Sequence, residues 1–240
     1  MKKELLNNMF NEMSQCNLCL DLKNKNGKDC SLINIYKDGF YREVPSIWTD
    51  WLNRVNSKIM IVGQDWGPFN EMKNFQKMYK DNETIDNWNG IIEEEKSLTK
   101  KMLTRYLVES GRQYGLDIDD SFLNKIYITN AIMCARKGNN YRSDNIKLKE
   151  CSLNCANYLK RQIDIINPII ILTLGFYPLL ALSKVYGFDI FRNLSENIEH
   201  YGIIKVNEMV IIPLHHPAAQ ISREKQIKQY EKIWQYYKEI

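Results

Sequence analysis

Three polar clusters in this chain follow directly on apolar runs, and each holds a side chain able to take part in a reaction. Gln64 and Asp65 follow Lys58-Ile59-Met60-Ile61-Val62-Gly63, Asn130 closes Ile126-Tyr127-Ile128-Thr129, and His215 and His216 follow Met209-Val210-Ile211-Ile212-Pro213-Leu214. A carboxylate can stabilise a developing cation and orient a water. An imidazole can donate to a departing anion, where a preorganised donor is worth roughly 3–4 kcal/mol. A carboxamide carries both a donor and an acceptor, so it can read a hydrogen-bonding edge. Any one of them alone would be an ordinary loop residue. An acid, an amide and an imidazole at three such ends form a candidate site.

The six cysteines are the second source of chemistry: Cys16, Cys19, Cys30, Cys134, Cys151 and Cys155. Their density is far below that of a disulfide scaffold. Cys16-Asn17-Leu18-Cys19 is a C-x-x-C, Cys134 lies just past Asn130, and Cys151 stands one helical turn before Cys155. Clustered cysteines in a reducing compartment serve metal or cluster ligation, or are simply buried small residues. Four thiolates suit a [4Fe–4S] cluster, and a zinc site built from four cysteines satisfies the same count.

These residues must be held by a scaffold. The runs 58–63, 126–130, 169–175 and 209–214 are short, apolar and rich in β-branched residues, and each reads as a buried strand. Helical spacing lies between and around them. Residues 1–13 place Leu5, Leu6, Met9 and Met13 on one face, and 97–109 carry Leu98, Met102, Leu103, Tyr106 and Leu107. Asp144 can cap a helix that Pro168 stops, Pro178 opens another, and the last carries Ile227, Tyr230, Ile233, Trp234 and Tyr237. Strands separated by helices predict an α/β fold, a three-layer sandwich around a central parallel four-stranded sheet. Ligands bind beyond the carboxyl ends of such strands, where Asp65, Asn130 and the histidines fall.

Composition bounds the rest. The 240 residues are 44% apolar and 26% charged, ordinary for a globular protein. Charges of 33 basic against 29 acidic residues give +4, which permits a polyanionic partner without requiring one. The most apolar stretch, Ile165 to Leu182, is broken by Asn167, Pro168, Gly175 and Pro178, and no signal-peptide core follows Met1. A cytoplasmic protein without membrane contact is expected. A G-x-x-x-x-G-K-[ST] phosphate loop, a G-x-G-x-x-G turn and the zinc deaminase pattern are all missing.

At these residues the chain resembles a known family. Gly63-Gln64-Asp65-Trp66-Gly67-Pro68 resembles the first motif of uracil-DNA glycosylases. Ile128-Thr129-Asn130-Ala131-Ile132-Met133-Cys134 is similar to their middle strand, whose asparagine reads the base, and His216-Pro217-Ala218 to their last motif, usually His-Pro-Ser. Order and spacing agree from about Cys16 to Gln220. The doubled cysteine pattern resembles the iron–sulfur branch, with Cys155 opening the helix of the fourth ligand. That branch usually has Gly-Glu-Ala-Pro-Gly where this chain has Gly-Gln-Asp-Trp-Gly, and the Gln-Asp pair is similar to the non-cluster, uracil-selective branch.

The resemblance implies a uracil-DNA glycosylase-like domain spanning 1–240, its Cys-containing segment 1–50 packed on the core. It implies a monomer that hydrolyses the N-glycosidic bond of uracil, or of a related deaminated or modified base, in DNA. Asp65 would stabilise the sugar cation and orient the water, and His216 would stabilise the departing base. Asn130 would read a flipped base beside Gly63 and Gln64, with Trp66, Phe69 or Phe75 stacking on it. Basic residues after the middle strand and after the His-Pro motif, with a wedge between, would meet DNA: Arg136, Lys137, Arg142, Gln220 and Arg223. Cys16, Cys19, Cys134 and Cys155 would hold a [4Fe–4S] cluster, with Cys151 as the alternative fourth ligand and zinc as the alternative metal. No lysine stands where a nucleophile would, so strand cleavage is not expected. The reading from another class is a catalytically weak DNA or nucleobase binder of the same fold, for sensing or defence against foreign DNA.

Overall fold

The computed structural model describes residues 1–23, 26, 27, 29–44, 46, 48–81, 97–137 and 147–237. Four strands run parallel: β2 (Ile59–Gly63), β3 (Tyr127–Asn130), β5 (Ile170–Leu174) and β7 (Met209–Leu214). A fifth, β6 (Ile204–Val206), joins β7 antiparallel at the edge, so the order is β3-β2-β5-β7-β6. This edge strand adds to the four expected. Only three residues long, it carries no legible alternation; the hairpin forms because Asn207 takes a left-handed turn. A separate pair, β1 (Leu32–Ile33) with β4 (Ala135–Arg136), lies outside the main sheet.

The parallel strands are apolar throughout because both faces are covered. Successive side chains point to opposite faces, and the strands divide accordingly. Met60, Val62, Ile171 and Ile211 pack under α1 (Lys2–Ser14), α4 (Leu148–Ile166) and α5 (Phe176–Tyr186). Ile59, Ile61, Ile128, Leu172 and Ile212 pack under α3 (Leu98–Gln113) and α7 (Arg223–Tyr237). These are the three layers of an α/β sandwich. Helices α2 (Phe69–Asp81) and α6 (Leu194–His200) complete the connections.

Local chemistry explains most of the boundaries. Ser97 caps α3 by accepting from the Lys100 N–H at 3.3 Å. Asn167 ends α4 in a left-handed conformation, and Pro168 follows it. Two details differ from expectation. Leu5 is exposed, its place on the buried face of α1 taken by Phe10. Pro178 is the third residue of α5 rather than its first; the helix opens at Phe176, after Gly175 at φ 101°. The expected cap Asp144 lies outside the described residues.

The strand order also positions the site. From β2 the chain moves to β3 on one side, then crosses to β5 on the other. The carboxyl end of β2, with Gln64 and Asp65, therefore opens at the point where the winding reverses, where α/β sheets form their ligand crevice.

Candidate active site

Gly63 ends β2 directly opposite Asn130 at the end of β3. A Cβ on Gly63 would coincide with the space that Asn130 Oδ1 occupies, so only glycine lets the carboxamide lie across the neighbouring strand. Beyond the sheet the two loops stay joined. Ala131 N–H donates to Gly63 O (2.8 Å) and Ile132 N–H to Gln64 O (2.9 Å). Asn130 is buried, and among the described residues its carboxamide makes no hydrogen bond. The carboxamide is not among the fully buried polar atoms that lack a partner, so it stays reachable from the strand end.

Asp65 sits in a turn made possible by Gly67 at φ 71°. Its carboxylate accepts from Gly67 N–H (2.7 Å), from Gln64 Nε2 (2.8 Å) and, in a two-pronged pair, from Arg136 Nε (2.9 Å) and Nη2 (2.8 Å). Arg136 is fixed in turn by its backbone, whose N–H donates to Gly67 O at 2.8 Å. One sequence expectation is revised here. Arg136 does not stand on an open face toward phosphate; its side chain is 11% exposed and paired with an Asp65 side chain that is 2% exposed. The four donors hold the Asp65 carboxylate in one orientation. The sequence placed both residues near the strand ends but held no sign of their pairing, since 71 positions separate them.

The two histidines past β7 divide cleanly. His215 is buried and turned toward the helices, its Nδ1 hydrogen-bonded to the Gln229 amide (2.9 Å to Nε2, 3.1 Å to Oε1) and its Nε2 to Ser195 Oγ (3.1 Å). It ties β7 to α7 and α6. His216 is partly buried, and its Nδ1 accepts from the Ala218 N–H at 3.2 Å. The neutral ring must then carry its proton on Nε2, which leaves that atom a donor. Burial lowers the His216 pKa below its ordinary value, with the Asp65 charge opposing. Burial likewise lowers that of His215.

The aromatic candidates separate by environment. Trp66 packs edge-on against Trp51, with ring centroids 5.5 Å apart, and its buried indole N–H has no partner among the described residues. Phe69 lies against Phe40 at 4.9 Å. Phe40 comes from a 3-10 turn (Lys37–Glu43) that no motif in the sequence would connect with the site. The Phe75 side chain lies outside the described residues.

The cysteines gather on the far side of the loop that carries Arg136. All six are free thiols. Cys19, Cys30, Cys134 and Cys151 share one apolar cluster with Leu22, Leu32 and Ile132, and Cys155 lies a turn further along α4. The Cys19 thiol bonds to Cys151 and to Asn154, which holds its pKa down to about 7. Desolvation instead pushes Cys134 well up and Cys155 up to about 12, and each of these two feels the charges of Cys16 and Cys19. Among the described residues no three His, Cys, Asp or Glu side chains are arranged around a single metal ion. A [4Fe–4S] cluster makes a different demand, because each thiolate binds its own iron and the four stand further apart than around one ion. Thiols from the first loop, the middle loop and α4, in mutual electrostatic reach within an apolar shell, fit that donor set.

The remaining basic residues are exposed and paired: Lys137 with Asp29 (2.8 Å) and Arg223 with Glu109. Gln220 is exposed, and Arg142 lies outside the described residues. Among the described residues no helix is long and apolar enough to cross a membrane.

Comparison with known proteins shows the family. Residues 49–238 match the model of the Uracil DNA glycosylase superfamily. A Type-4 uracil-DNA glycosylase from Sulfurisphaera tokodaii is 33% identical over 130 residues, covering 50% of this chain and 50% of that protein. The chain thus spans about half the length of the curated relative it matches.

Proposed function

Since this chain belongs to the uracil-DNA glycosylase superfamily, we propose that it removes uracil, or a related deaminated or modified base, from DNA by hydrolysing the N-glycosidic bond. One observation carries this reading: a carboxamide without a partner among the described residues, a held carboxylate and a donor-ready imidazole lie past the ends of three parallel strands. Asn130, whose carboxamide has no partner among the described residues, reads the Watson–Crick edge of a flipped base. His216 donates from Nε2 to the carbonyl oxygen of the departing anion. Asp65 supplies a fixed negative end near C1′, while Trp66, Phe69 and Phe40 wall the pocket against water.

Residues 1–240 act as one monomeric unit. Lys137, Arg142, Gln220 and Arg223 meet the DNA, and the two exposed arginine and lysine pairs exchange a carboxylate for a phosphate on binding. Cys16, Cys19, Cys134 and Cys155 hold a [4Fe–4S] cluster, with Cys151 the rival of Cys155. When bound, the cluster ties the first loop to the middle loop and α4, a structural role.

One feature favours the second reading, a DNA or nucleobase binder with weak catalysis. The Asp65 charge is matched by Arg136, which weakens its field at a sugar cation. A single experiment separates the two. The protein and its Asp65→Asn variant are incubated with DNA containing uracil, hypoxanthine or xanthine, and alkali then reveals abasic sites. Base release by the wild type and its loss in the variant support the glycosylase; tight binding without release supports the binder.

A further inference from the structure

Asp65 accepts four hydrogen bonds, from Arg136 Nε and Nη2, Gly67 N–H and Gln64 Nε2. A carboxylate offers about four lone-pair sites. A water beside it would find none free. Gln64 is oriented by the same contacts. A carboxylate has no proton to give, so the Gln64 amide must turn its Nε2 toward Asp65 and its Oε1 away. That Oε1 has no partner among the described residues, and the side chain is partly exposed at the carboxyl end of β2. It is the acceptor that remains at the strand end.

We propose that Gln64 Oε1 holds the attacking water, and that Arg136 is the positioning residue that assigns it this task by keeping Asp65 fully engaged. The proposal rests on the glycosylase reading. The C1′–N bond breaks and its electron pair leaves with the base. The water oxygen, held by Gln64, bonds to C1′. The proton that this water sheds passes to the base anion, which departs neutral. Asp65 takes no proton at any point, and its task is to hold the amide and to face the sugar with a fixed dipole.

The test is Gln64→Glu, measured as a single-turnover rate on uracil-containing DNA from pH 8 to pH 5. An ionised carboxyl at this position would confront Asp65 and lose its place, lowering the rate about 10²-fold at pH 8, the scale of a small misplacement. Asp65 raises the affinity of the new carboxyl for a proton. Once protonated, that carboxyl donates to Asp65 and again offers a carbonyl acceptor, so its rate should climb toward that of the wild type as pH falls. The charged or titratable groups facing Asp65 are Arg136 on β4 and His216 past β7, and both are present in the wild-type control. Arg136→Lys keeps the charge but loses the fork, so it should lower the single-turnover rate at least tenfold with the Kd for DNA within about twofold.

A Gln64→Glu rate that follows the wild type at every pH would overturn the proposal, as would a Gln64→Ala variant of wild-type rate. An Arg136→Lys variant with weaker binding and an intact chemical step would return Arg136 to phosphate contact and overturn it too. Should Arg136→Lys fail to fold, the two Gln64 variants decide, because that side chain is partly exposed. No base release by the wild type from any of the DNAs would overturn the glycosylase reading and the water's role with it. Release by the wild type with an indifferent Gln64 would overturn the proposal alone.

Discussion

Gly63→Ala separates recognition from stability. The new Cβ would land on Asn130 Oδ1, while the next nearest atoms, Asn130 Cγ at 3.6 Å and Thr129 O at 3.7 Å, are at ordinary contact. The obstacle is the end of a side chain, so the backbone of β2 can stay and the carboxamide must turn. An off-rotamer side chain costs about 0.5–1.5 kcal/mol. At about 2–4 °C per kcal/mol for a chain of this size, Tm should fall by roughly 1–6 °C. Function should suffer more. A well-placed pair of hydrogen bonds to a base edge is worth about 1–3 kcal/mol of discrimination, or roughly 5- to 150-fold. Preference for the best substrate base over cytosine should fall by that factor. The assay is thermal unfolding beside single-turnover base release from paired substrates. Unchanged discrimination would refute the role of Asn130. A Tm loss well above 10 °C would show that the strands, not the amide, gave way.

Other outcomes follow from the same geometry. His216→Ala should slow the chemical step about 10²–10³-fold, as for one lost oxyanion donor, whereas His215→Ala should slow it far less and lower Tm more; the reverse order of rates would mean that the two exchange roles. Both imidazoles have pKa values lowered by burial. Unfolding therefore takes up protons below the unfolded value of about 6.5, and stability should hold above that pH and fall as pH drops through it. Melting curves from pH 8 to pH 5 check the sign, and a flat profile refutes it. Anaerobic purification should give a brown protein with iron and sulfide in near-equal amounts. Alanine at Cys16, Cys19 or Cys134 should remove the colour and Cys30→Ala should not; comparing Cys151→Ala with Cys155→Ala identifies the fourth ligand, and zinc in place of iron would reject the cluster. Removing both Lys137 and Arg223 should weaken binding to any DNA and reduce the salt slope by about two units if each meets a phosphate; an unchanged slope returns them to their surface partners Asp29 and Glu109.

The sequence by itself determined the layers of this protein and the roster of its site. Continuous apolar runs can only be strands covered on both faces, and the helical stripes between them must do the covering, so four parallel strands were legible from periodicity alone. The three polar strand ends were legible for the same reason, because a polar residue after a buried run has to lie at the rim. What lies at long range was decided only by the tertiary structure. Strand order depends on which edges meet, which no local pattern records, and it alone put Asp65 where the winding reverses. The β6 edge strand was too short to carry a period. Phe40 reaches Phe69 across 29 positions, and Arg136 meets Asp65 across 71. In the sequence Arg136 was one of a row of basic residues, and Asp65 a free carboxylate. Folding buries both together, and a buried charge must find its opposite and fill its hydrogen bonds. That requirement, met here by Arg136 and Asp65 together, turned an expected surface cation into part of the candidate site.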